Sequence, residues 1–152
     1  MVLIETIAAA VAAKLSSDGI TRVVNGKDSA LVVRYVAAKG SAPVGRAYVD
    51  TATVRTKNET LLVSLDPAGR VRRIDVTAFL EPAEYLPPEP WLRQYADRPL
   101  SDDLALNRAI RPIAGATLTA RAVNAAVRRI LAIDAVLGGD VTMPEPPGGA
   151  RE

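Results

Sequence analysis

Residues 59–79, Glu-Thr-Leu-Leu-Val-Ser-Leu-Asp-Pro-Ala-Gly-Arg-Val-Arg-Arg-Ile-Asp-Val-Thr-Ala-Phe, hold two β-forming runs on either side of a turn. Asp66, Pro67 and Gly69 occupy the first, second and fourth places of that turn, the order that suits type I. The runs 59–65 and 71–79 are therefore expected to form an antiparallel hairpin. In the second run Ile74, Val76 and Ala78 alternate with Arg73, Asp75 and Thr77, which gives one buried and one wet face.

Working outward from the hairpin, residues 31–36 (Leu-Val-Val-Arg-Tyr-Val) are rich in β-formers. The stretch 40–43 breaks that run before a second extended one over 45–55. The result is a meander of about four strands between helices. Towards the N-terminus, Ile4, Ile7, Ala8, Val11 and Leu15 have helical spacing. Glu5 stands where a signal peptide would be basic, and the run is too short to span a bilayer. It predicts an amphipathic helix packed on the domain, ended by Ser16, Ser17, Asp18 and Gly19.

Beyond the hairpin, Pro82, Pro87, Pro88 and Pro90 make 81–90 a stiff surface loop. Glu81, Tyr85 and Trp91 could line one side of a flat ligand there; equally, Trp91 and Leu92 could start a short core helix towards Tyr95. Ser101 or Asp102 has the form of a helix cap, leading through Leu106 and Ile110. Adjacent Asp102 and Asp103 suit a helix start and need no metal. Residues 138–152 are Pro- and Gly-rich and read as a flexible tail. The fold class is α+β, an antiparallel sheet of about four strands packed against helices, in a single domain over 1–137.

With 152 residues, the chain is long enough for one domain with a real core. Its hydrophobic fraction is 49% and its aromatic fraction 4%, so aliphatic side chains must fill that core. A net charge of +2, with basic residues interspersed among acidic ones, does not point to nucleic acid. The absence of Cys and His excludes disulfides, zinc–thiolate sites, a Cys nucleophile, a His base and His-ligated haem supplied by this chain. Redox work would need a borrowed cofactor. No catalytic nucleophile has a visible base, and no metal site is expected.

Residues 113–120, Ile-Ala-Gly-Ala-Thr-Leu-Thr-Ala, run into the best helix of the chain. Val123, Val127, Ile130 and Leu131 form its apolar stripe. Gly115 and Ala116 allow close approach to the backbone, and Thr117 and Thr119 offer hydroxyls beside Leu118 where the helix begins. Free N–H groups and the positive dipole end there suit an anionic group. A Thr at such a place also commonly serves only as an N-cap.

The run Ala-Gly-Ala-Thr-Leu-Thr-Ala-Arg-Ala-Val resembles the signature of the FMN-binding domain family, which includes flavin-carrying subunits of sodium-pumping NADH:quinone oxidoreductase and Rnf-type complexes. The resemblance covers roughly 44–133 and takes in residues 45–48, 59–63, 79–85 and Trp91-Leu92 in the family's order. It implies an FMN-binding electron-transfer domain, with the flavin phosphate held by Gly115, Ala116, Thr117, Leu118 and Thr119. The resemblance further implies a redox or membrane-complex partner and a place outside the cytoplasm or at a membrane. In the family a Thr matching Thr117 can carry FMN through a phosphoester. Arg111 and Ala114 depart from the Asp and Ser/Thr of the pattern, so poor covalent loading is expected, with Arg111 available to attract the phosphate. The alternative is a flavin-free binding or assembly module that keeps the fold.

Overall fold

The structure, a computed structural model, describes residues 2–7, 30–39 and 42–137. Its strands are β1 (Val2–Ile7), β2 (Ala30–Lys39), β3 (Ala42–Thr53), β4 (Asn58–Leu65) and β5 (Val71–Phe79). They form one sheet in chain order, every neighbour antiparallel. A short helix, α1 (Glu89–Leu92), and a long one, α2 (Thr117–Leu137), complete an α+β fold, as the sequence predicts.

The core lies between α2 and one face of the sheet. On β4 the inward positions alternate strictly, so Leu61, Val63 and Leu65 meet Ala120, Val123, Val127, Ile130 and Leu131 of the helix. Each such Leu, Val or Ile side chain, fully removed from water, contributes roughly 1.5–3 kcal/mol. The β4–β5 connection is the expected turn: the Gly69 N–H donates to the Asp66 carbonyl at 3.0 Å, and the Arg70 N–H donates to the Asp66 carboxylate at 2.9 Å. On β5 the expected alternation holds only in part. Arg72 and Thr77 are each an extra residue against β4, so Val71 and Ile74 both face inward, Ala78 turns outward and Phe79 comes opposite Glu59.

Three expectations are corrected. Residues 2–7 are a strand, not the start of a helix; Val2, Ile4 and Thr6 are β-branched at alternate positions, and backbone pairing with β2 decides between the two patterns. The rest of that stretch, like residues 138–152, lies outside the described residues. β3 begins at Ala42 rather than near Gly45, with Val44 as an extra residue opposite β2 beside Pro43, where a missing N–H is tolerated. The segment after Leu100 is a chain of turns and not a helix. Asn107 adopts φ +63°, and the Arg128 side chain from α2 donates to the carbonyls of Ser101 at 2.8 Å and Leu104 at 3.0 Å. Carbonyls occupied this way stabilise the turns, while Leu104 and Ile110 still reach the core.

A polar seam crosses the helix–sheet interface. Arg46 of β3 donates to both carboxylate oxygens of Asp134 on α2, at 2.6 and 2.8 Å, and the Tyr48 hydroxyl donates to the same carboxylate at 2.8 Å. All three side chains are buried. The hydrogen bond to Asp134 raises the Arg46 pKa, and burial followed by the Asp134 charge raises that of Tyr48. Further back along the helix, Arg129 grips Asp50 at 2.6 and 2.9 Å. Beside this seam, Gly45 lets β3 lie close to the end of β4, because a Cβ there would stand 2.7 Å from the Leu65 carbonyl oxygen. No helix among the described residues is long and apolar enough to cross a membrane.

Candidate functional site

The N-terminal end of α2 is built by a turn. The Ala116 N–H donates to the Ile113 carbonyl at 3.1 Å, and Gly115 takes φ +76°, which a side chain would disfavour. A Cβ at Gly115 would meet nothing within 4 Å, so this backbone opens outward. The Ala116 carbonyl accepts the Ala120 N–H at 3.1 Å and so occupies the cap place. Thr117 is therefore the first helical residue and not an N-cap. The N–H groups of Thr117, Leu118 and Thr119, and the Thr117 hydroxyl, make no hydrogen bond to the described residues.

Two other segments close around this end. The Thr119 hydroxyl donates to the Tyr85 carbonyl at 2.7 Å, which ties the helix to the 3-10 turn Ala83–Tyr85. Arg55, in the β3–β4 turn, lays its guanidinium over the Tyr85 ring, 4.5 Å from the centroid. The Glu81 carboxylate fixes that turn by accepting N–H groups from Thr56 at 2.7 Å, Lys57 at 2.8 Å and Arg55 at 3.2 Å. The N–H groups of Thr56 and Lys57 hold its carboxyl below the ordinary range. Arg55, Tyr85, Gly115, Ala116, Thr117, Leu118 and Thr119 line a cleft of about 330 Å³, within the size range of small-ligand sites.

Tyr85 and the five residues of the helix start thus come together as one surface. Glu81 and Trp91 do not join it. Glu81 stands behind the cleft and spends its carboxylate on the turn. Trp91 is in the core, its ring edge-on to Tyr95 at 5.7 Å and its indole N–H donating to the Arg111 carbonyl. Arg111 has its backbone tied by Gln94 and Trp91 and is not part of the lining. The cation at the cleft is Arg55, which no motif marked. The available signal was its position at the tip of a hairpin, which places it at the sheet end where α2 begins.

A larger groove, about 630 Å³, runs beside β5 and α1. Four of its charged side chains already pair, Arg73 with Asp75 at 2.8 Å and Arg93 with Glu89 at 2.9 Å, and Arg72 reaches the Val44 carbonyl at 3.5 Å. The smaller cleft has the unspent donors and is the better candidate for binding. Its chemistry is anion recognition: backbone N–H groups, a hydroxyl, a helix dipole and a guanidinium converge there. Among the described residues no cluster of acidic side chains could hold a metal ion. No protein-family model matches the chain, and no curated protein matches it.

Proposed function

We propose that this protein is an FMN-binding electron-transfer domain whose cleft holds the flavin phosphate, serving a redox protein or a membrane-complex partner. The observation that carries this reading is that Arg55 lines the same cleft as the N–H groups of Thr117, Leu118 and Thr119, which have no partner among the described residues. The resemblance of residues 114–123 to the family signature supplies the identity of the ligand. When bound, FMN supplies the one- and two-electron chemistry; the chain supplies position and electrostatics. Arg55 would pair with the phosphate, Gly115 would admit it to the backbone, and exposed Leu118 with Tyr85 would offer apolar surface to the rest of the ligand.

The lining also supports a non-covalent complex. Thr117 has a free, exposed hydroxyl, but Arg111 stands in place of the Asp that a flavin transferase reads in the family pattern, and Ala114 in place of its Ser/Thr. A second reading, a flavin-free binding or assembly module, is favoured by the burial of Trp91. Tyr85 is left as the only aromatic side chain of the cleft, and Arg55 covers its face.

Visible absorption and fluorescence of the purified chain after incubation with FMN test the two readings. Retention of FMN through gel filtration, its release on denaturation, and weaker retention of riboflavin are expected. Arg55→Gln should weaken FMN binding roughly tenfold to hundredfold, the loss of a charged hydrogen bond. Co-expression with a flavin transferase should leave the wild-type mass mostly unshifted and raise loading in Arg111→Asp. A folded wild type and Arg111→Asp that bind no FMN in any form would establish the flavin-free module instead.

A further inference from the structure

Glu59 occupies an inward position of β4, opposite Ala52 of β3 and Phe79 of β5, in a row otherwise made of leucine and valine. It is 1% exposed, and neither carboxylate oxygen has a hydrogen-bond partner. A buried acid without partners is costly when ionised and is held in its neutral form.

The charged groups around it give no countercharge. From β3, Asp50 is the neighbouring ionised group, and its carboxylate is already gripped by Arg129 of α2. Further along β3, Arg46 and Tyr48 are joined to Asp134 of α2, and Arg34 of β2 lies beside the Tyr48 hydroxyl. Arg128 of α2 is directed to the carbonyls of Ser101 and Leu104. Arg55 and Lys57 of the following turn are exposed, and β5 places Phe79 opposite. The position under the helix follows from order along β3: Asp50 meets Arg129, Arg55 meets the helix start, and Ala52 with its partner Glu59 lies between them.

We propose that Glu59 is a proton-linked latch: neutral, it lets the part of α2 between Thr119 and Arg129 lie closed on the sheet, and on losing its proton it drives that part to open locally. Ionisation calls for water or a cation, and the Arg129 guanidinium beside Asp50 is already held by that carboxylate. Opening of this part of the helix carries the cleft-lining turn with it, so the state of Glu59 sets how well that cleft is formed. Burial first, and the Asp50 charge second, push the Glu59 carboxyl up to about 7. The closed form is therefore fully favoured below the ordinary carboxyl range and is weakened as pH rises through neutrality. The latch is a property of the ligand-free chain and does not depend on the flavin reading.

Hydrogen exchange of the full, ligand-free chain tests it, with protection factors compared at about pH 5 and about pH 8 after correction for intrinsic rates. Amides of α2 between Thr119 and Arg129 should exchange faster than those of β4, and their protection should fall by about tenfold or more over that interval, since one unit of proton linkage is a factor of ten. Glu59→Gln should abolish the fall. Helix amides that exchange only at the rate of β4, or an equal fall in Glu59→Gln, would overturn the latch. If the variant does not fold, carbon-detected titration of Glu59 in the wild type decides: a midpoint near neutrality supports the proposal, and one in the ordinary carboxyl range refutes it.

Discussion

Asp134 accepts two hydrogen bonds from Arg46 and one from Tyr48, and all of these groups are buried. Removing the acceptor leaves a buried guanidinium without its counterion and a phenol without its acceptor, whereas the intact cluster contributes little beyond its own desolvation cost. Asp134→Ala should therefore lower unfolding stability by about 3–5 kcal/mol, the cost of an uncompensated buried charge. Urea titration measures it, and a loss below about 1 kcal/mol would mean that water reaches Arg46. At this scale the sequence was only partly legible. Gly115 and the two threonines announce themselves through local turn and helix chemistry. Arg55 and Glu59 do not, because an Arg after a strand and a Glu at a strand end look like solvated residues until the sheet register and the helix are known.

Among the elements, the β3–β4 turn depends on a residue outside it. Three successive N–H groups converge on one oxygen of Glu81, which lowers the pKa of that carboxyl. The sign follows: a depressed pKa contributes stability that is present above the ordinary carboxyl value and is lost as pH falls through the native one. Glu81→Gln should lower the melting temperature at neutral pH, and the difference from wild type should shrink in acid; thermal melts at both pH values measure it. The β4–β5 hairpin and α2 were readable because a type I turn and a 3.6-residue stripe are encoded within a few residues. β1 and the turns after Leu100 were not, because each is decided by distant partners: pairing with β2 in one case, and Arg128 reaching the carbonyls of Ser101 and Leu104 in the other.

For the whole molecule, Glu59 should leave its mark on the pH dependence of global stability, because unfolding returns its carboxyl to the ordinary range. The native state holds that proton to higher pH than the unfolded chain, so stability falls as pH rises from mildly acidic to mildly basic. Glu59→Leu should flatten this fall and raise stability near pH 8 by roughly 1–3 kcal/mol, the cost of a buried group without partners. Denaturant titrations at several pH values measure it, and an unchanged slope would remove Glu59 as its source. The α+β class was legible at this scale because the hairpin forces antiparallel pairing. The assembly of the cleft was not, since its three segments lie far apart in the chain and meet only through the Thr119–Tyr85 and Glu81 hydrogen bonds.

Among the described strands, β5 pairs on one side only, and it carries both of the extra residues found against β4, Arg72 and Thr77. A flat edge of unpaired backbone groups is a template on which another molecule's strand can polymerise. The irregular spacing at Arg72 and Thr77 spoils the continuous ladder that such growth requires, and the exposed cation of Arg72 repels a like copy. The same departures that broke the expected alternation of Ile74, Val76 and Ala78 thereby protect the protein from edge-to-edge aggregation.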